Sequence, residues 1–214
     1  KERGKCGNSD QTWYGQGVFP WERRAKGVNK LANFKPECDW ETLRTEMKEH
    51  GVRNATLMAI APVESSSVVI NSTNGIEMPM SLISVKESKA GSLTQVVPDY
   101  HIKRVRNSYQ LMWEQKDCDA YLKTASVLAA YVDQSISTNT FYNPAHFAEQ
   151  KVPTTLIAKN LMQAHSWGLK TFYYSLINKA GVKRQDVELA EIAQAYVNIT
   201  DQNFEDDDCE SCKL

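Results

Sequence analysis

Long apolar runs are missing from this sequence. None approaches the roughly 20 residues that cross a bilayer, and the start, Lys1-Glu-Arg-Gly-Lys, leads into no apolar core of the kind a signal peptide needs. The expectation is a chain with neither a membrane span nor a signal sequence. Charge of one sign is not in excess either: 25 Lys and Arg face 26 Asp and Glu, for a net charge of −1. That argues against a general binder of nucleic acid or membrane surfaces. Histidine is scarce, with His50, His101, His146 and His165 each standing alone, so a metal site is not expected. The cysteines are odd in number, five, and Cys6, Cys38 and Cys118 are widely scattered. A secreted disulfide framework is thereby disfavoured, and the cytoplasm is the expected compartment. An initiator Met is also lacking, so the expected chain is processed or a piece of something longer.

What is there is a globular composition, 42 % apolar and 24 % charged over 214 residues. That is enough for one large domain or a domain and a half. The chain is organised around residues 54–79. An apolar run at 55–61 has the length of a buried strand and is stopped by Pro62. Three hydroxyls follow at Ser65, Ser66 and Ser67, then a second apolar patch at 68–70 and the turn-rich Asn71-Ser-Thr-Asn-Gly75. Strand, polar turn and short helix present hydroxyls and free N–H groups to an anion. The plainer reading is that the serines cap a helix.

Residues 1–38 read as a long loop with aromatic anchors at Trp13, Tyr14, Phe19 and Trp21. A loop of that length fits a segment that packs on something outside the chain. Asp39 caps a helix to His50 on which Leu43 and Met47 share a face, and Gly51 ends it. Residues 81–97 alternate around Lys89-Ala-Gly91 as a hairpin. Pro98 opens a helix with Ile102, Val105, Tyr109 and Met112 on one face, and Asp117 or Asp119 starts the next. Residues 135–142 read as a strand ended by Asn143-Pro144. Pro153 opens the most regular helix, closed by Gly168, and residues 169–176 read as a third strand. A charged helix is expected over 184–198, before an acidic, mobile tail over 201–214.

Two groups carry candidate chemistry. Cys209 and Cys212 form a CxxC near the chain end, behind Glu205-Asp-Asp-Asp208. On a tail, such a dithiol exchanges electrons with disulfides at two places. Half a zinc site and two idle thiols are the alternatives. Tyr173 and Tyr174 are adjacent on a strand, where neighbours point to opposite faces. They relay a radical only if the backbone turns there. On local grounds the ordinary reading, one ring buried and one at an edge, stands ahead.

Together the motifs resemble one family. Ala61-Pro-Val-Glu-Ser-Ser-Ser and Asn71-Ser-Thr-Asn-Gly-Ile-Glu are similar to the Pro-Ser-Glu-Thr-Ser-Ser and Asn-Ala-Thr-Asn-Gly-Ile-Glu segments of the class I ribonucleotide reductase large subunit. Further matches run in order: Glu2-Arg3, Asp39-Trp-Glu, Gly51-Val-Arg-Asn-Ala-Thr-Leu, Gln95-Val-Val-Pro-Asp-Tyr, Asp133-Gln-Ser-Ile-Ser-Thr-Asn-Thr, Lys170-Thr-Phe-Tyr-Tyr and the Cys-Glu-Ser-Cys-Lys-Leu end. The resemblance implies an α/β fold, the C-terminal part of the ten-stranded reductase barrel over residues 1–200, with a flexible redox tail over 201–214. It also implies that the upstream allosteric region and the active-site cysteines lie elsewhere, so the chain is an excised fragment or one half of a naturally split subunit.

By match, Pro62, Val63, Glu64, Ser65 and Ser66 bind the substrate diphosphate, and Tyr173 and Tyr174 hand a radical to the missing cysteine. Cys209 and Cys212 re-reduce the active-site disulfide. The implied partners are the N-terminal part of the large subunit, the small radical-generating subunit, thioredoxin or glutaredoxin, and a ribonucleoside diphosphate. The chain binds no metal or cofactor itself and relies on that of the small subunit. Departures are Val63 for Ser, Ser65 for the usual Thr, a tighter cysteine spacing, and the stretch 184–198. Two other classes compete: a non-catalytic interaction protein derived from a reductase half, against which the intact Tyr-Tyr and CxxC speak, and a stand-alone phosphate-binding redox enzyme, disfavoured by the loop-rich start.

Overall fold

The computed structural model describes residues 4–33, 37–88, 91–97 and 102–179. Pro98, the helix expected over 184–198, and the tail with Cys209 and Cys212 lie outside the described residues.

Helix α1, Trp40–His50, begins where Asp39 accepts the Thr42 N–H at 3.1 Å and the Thr42 hydroxyl at 2.7 Å. Those two bonds hold the Asp39 carboxyl below the usual carboxylate range. Gly51 ends the helix at a φ of 71°, a left-handed turn that a residue without Cβ enters at no steric cost. Met47 is buried as expected, but Leu43 is exposed. The difference lies in what covers them. Residues 4–33 make three single turns, Ser9–Gln11, Pro20–Arg23 and Lys26–Lys30, and fold back over α1. Tyr14 and Phe19 bury Met47, with Trp21 stacked 4.7 Å from Phe19 and Trp40 edge-on at 4.5 Å from Trp21. The expectation that this loop packs outside the chain is thus corrected: its aromatic anchors are used internally. Arg44 fastens the return, donating to Glu22 at 2.7 Å while Glu22 accepts the Phe19 N–H at 2.8 Å.

The framework for the site is parallel. Strand β3, Thr138–Tyr142, and strand β4, Phe172–Ile177, pair in the same direction. Helix α5, Thr154–Ser166, makes the crossover between them, as parallel neighbours require. Helix α4, Asp119–Ala129, precedes β3. Leu122 and Ala125 of α4, Phe141 and Tyr142 of β3, Ala164 of α5 and Leu169 share one core. The run at 55–61 was expected to be a buried strand and is not one. It makes a single parallel bridge, Ile60 to Ile136, and Leu57 stays 59 % exposed. Its N–H groups at Leu57 and Met58 donate to the Asp133 carboxylate at 2.8 and 2.6 Å rather than to another strand. Among the described residues nothing pairs with its outer edge, and apolar residues without a covering layer stay wet.

The hairpin is as expected, β1 Ile83–Ser88 against β2 Gly91–Val96, antiparallel with Ser88 opposite Gly91. The long helix expected after Pro98 is not continuous. Helix α3, Ile102–Val105, gives way to a tight turn at Arg106–Ser108, and Tyr109 is extended. A second turn, Met112–Glu114, is set by the Met112 N–H donating to the Pro79 carbonyl at 2.8 Å, which buries Met112 in the core. One tertiary anchor has overridden a helical period.

Candidate active site

The serine segment forms the first turn of helix α2, Glu64–Val69. No serine caps it, which corrects the plainer reading of the sequence. The residue before the helix is Val63, and the capping groups come from Asn74: its carbonyl accepts the Val63 N–H at 2.9 Å and its Oδ1 accepts the Glu64 N–H. Ser67 is fully buried and its hydroxyl donates to the Glu64 carbonyl at 2.6 Å. Glu64, Ser65 and Ser66 are exposed, and Pro62 is half-buried. Glu64 sits at a φ of 35°, a left-handed backbone held by the Asn74 contacts. The Ser66 N–H is taken by the Val63 carbonyl at 2.8 Å. What this turn presents to solvent is therefore two hydroxyls beside a helix start.

The tyrosines lie on β4. Alternation along a strand would separate them, but the ladder is irregular there. Thr138 pairs with Phe172, whereas Thr140 pairs with Ser175. Tyr173 and Tyr174 together oppose the single residue Asn139, which is a β-bulge. The bulge supplies the backbone turn that the relay reading requires. The two rings lie 4.0 Å apart, centroid to centroid, inclined by 50°. Both remain exposed, Tyr173 at 42 % and Tyr174 at 54 %. The Tyr173 phenol is held above its ordinary range, first by the adjoining Tyr174 phenol, and the charge of Glu64 adds to the rise.

The ribonucleotide reductase barrel-domain model matches residues 1–175. The chain belongs to that family. The ribonucleoside-diphosphate reductase 1 subunit alpha of Salmonella typhimurium is 39 % identical over 216 residues, covering all of this chain and 26 % of its own length. The subunit of Escherichia coli gives the same identity and the same coverage. The alpha subunit of Buchnera aphidicola subsp. Baizongia pistaciae is 44 % identical over 174 residues, 81 % of this chain and 23 % of its own. The chain therefore spans about a quarter of the length of these relatives, and its α/β fold is that of a part of the barrel.

Asn74, Glu77 and Asn139 of this reductase barrel were written in the sequence motifs but carried no expected role. The signal was present as an Asn or Glu in the middle of a polar turn or a buried strand, where a polar side chain needs a partner. Among the described residues no group of three or more His, Cys, Asp or Glu is arranged to hold a metal ion, and no helix is long and apolar enough to cross a membrane. Cys6, Cys38 and Cys118 are free thiols.

Proposed function

We propose that this chain works as the C-terminal part of the catalytic barrel of a ribonucleoside-diphosphate reductase, with residues 1–200 in the barrel and 201–214 as its redox tail. The observation that carries the reading is the bulge that brings Tyr173 and Tyr174 into ring contact. A neutral phenol in ring contact with a phenoxyl radical can give it a hydrogen atom. The proton passes from one hydroxyl to the other, the electron passes between the rings, the radical is restored to a phenol and the donor becomes the radical. The raised Tyr173 phenol keeps its proton at neutral pH, which this exchange needs. The radical originates at the metal-bearing small subunit. It ends on a cysteine of the N-terminal part, where the ribose is activated.

Ser65 and Ser66 offer hydroxyls to the substrate diphosphate from the exposed first turn of α2. Glu64 opens the same turn, with its N–H held by the Asn74 side chain. Pro62 and Val63 shape the entry to the turn. Cys209 and Cys212 carry two electrons to the active-site disulfide and are re-reduced by thioredoxin or glutaredoxin in the cytoplasm.

The test is reconstitution of the chain with the N-terminal part and the small subunit. Tyr174→Phe abolishes turnover of ribonucleoside diphosphate and leaves substrate affinity in place. Cys209→Ser permits one turnover and blocks cycling with a protein reductant. Turnover that survives Tyr174→Phe removes the radical role, and sustained thioredoxin-driven cycling in Cys209→Ser removes the tail.

A further inference from the structure

A bulge leaves ladder groups unpaired, and something must satisfy them. Here the Tyr174 N–H donates to the side-chain Oδ1 of Asn139 at 3.1 Å. The same amide uses its Nδ2 to donate to Glu77 Oε1 at 3.1 Å. Both partners are buried, Asn139 at 5 % exposure and Glu77 at 8 %. A buried carboxylate is costly unless it is hydrogen-bonded, and Glu77 Oε2 has no protein partner. Close packing keeps the carboxylate in place: a Cβ on Gly75 would lie 2.2 Å from Oε2. Glu77 stands three residues after Asn74, which holds the start of α2. One short loop thus touches the candidate diphosphate turn at one end and the tyrosine bulge, through Asn139, at the other.

We propose that Asn139, oriented by Glu77, is the positioning residue that fixes the Tyr173–Tyr174 contact and ties it to the loop that caps α2. The proposal rests on the radical-transfer reading for its functional meaning, but its structural claim stands apart from that reading. An asparagine is required because the site needs an acceptor toward Tyr174 and a donor toward a carboxylate on one short side chain. Aspartate at 139 keeps the acceptor and faces Glu77 with a second carboxylate. Glutamine at 77 then restores a donor, so the pair can be rebuilt with its polarity reversed.

The experiment uses the full chain with its tyrosines carbon-13 labelled, and reads the Tyr173 phenol titration by NMR, assigned with Tyr173→Phe. Asn139→Ala returns the Tyr173 titration toward the ordinary tyrosine range, because the ring contact with Tyr174 is lost. The double variant Glu77→Gln/Asn139→Asp recovers the raised titration. Circular dichroism identifies any variant that fails to fold, and the double variant, which keeps shape and volume, then carries the test alone. In the reconstituted enzyme, Asn139→Ala lowers turnover by about a hundredfold, the scale of a misplacement of about 1 Å, at unchanged KM, and the double variant regains most of it. An unmoved Tyr173 titration in Asn139→Ala overturns the proposal, as does a double variant that stays as impaired as Asn139→Asp. If Tyr174→Phe leaves turnover intact while Asn139→Ala moves the titration, the radical-transfer reading falls and the positioning of the pair by Asn139 is upheld.

Discussion

Residues 55–61 bridge, in the same direction, the segment that leads into strand β3, yet they are wet and β3 is dry. The wet one has the more apolar sequence, Ala-Thr-Leu-Met-Ala-Ile-Ala. The dry one, Thr-Asn-Thr-Phe-Tyr, is mostly polar by residue type and buried at every position. Burial is therefore decided here by neighbours. β3 has β4 on one side, the bridge to Ile60 just before its start on the other, and helices α4 and α5 in its core. Residues 55–61 have only one paired edge among the described residues. The polar residues of β3 are tolerated because they bond locally: Thr140 to Ser175 at 3.1 Å, Asn139 to Glu77, and Thr138 to the Ile136 carbonyl.

The largest effect expected from that contrast is at Phe141. Phe141→Ala empties a buried site and lowers the unfolding free energy of the chain by about 3–5 kcal/mol, measured by denaturant unfolding. A much smaller loss would mean that the β3 side of the comparison is loosely packed. Asp133→Ala is intermediate. It removes the acceptor that serves both Leu57 and Met58 N–H groups, at a cost of about 1–2 kcal/mol, and hydrogen exchange of those two amides speeds up. Leu57→Ala changes stability by no more than about 0.5 kcal/mol in this chain. Measured beside Phe141→Ala in the same unfolding experiment, it sharpens the contrast directly. The Glu22–Arg44 tie is also weak. Arg44 lowers the Glu22 carboxyl below its usual range, so this contribution is full above the ordinary carboxylate pKa and fades as pH falls through the lowered one. Exposure limits it to under about 1 kcal/mol, read as the pH dependence lost in Glu22→Gln.

Much of the architecture was legible because it is local. The Asp39 cap, the Gly51 and Gly168 stops, the hairpin of β1 and β2 and the helix after Pro153 each rest on residues close in sequence. What was not legible depends on residues far apart. The break at Tyr109 follows from a bond between Met112 and Pro79. The exposure of Leu57 follows from which strands are present. The serine hydroxyls could be found by composition, but their failure to cap α2 depends on Asn74, ten residues on. The tyrosine pair shows the limit most sharply. Period-two alternation alone separates the rings, and only the register of β4 against β3 reveals that one residue is inserted.

Cys118 leads the chain into α4 and is wholly buried between Asn160, which donates to its sulfur at 3.1 Å, and Tyr142. Burial pushes its thiol up, so little thiolate is present and no reagent reaches it in the closed core. Cys38, by contrast, is exposed. A thiol-specific label applied to the native chain thus marks Cys38 at once and Cys118 only when the core opens. The slow step of that labelling is a stopwatch for the opening of the layer that carries the tyrosine strand, set by a thiol the protein already holds.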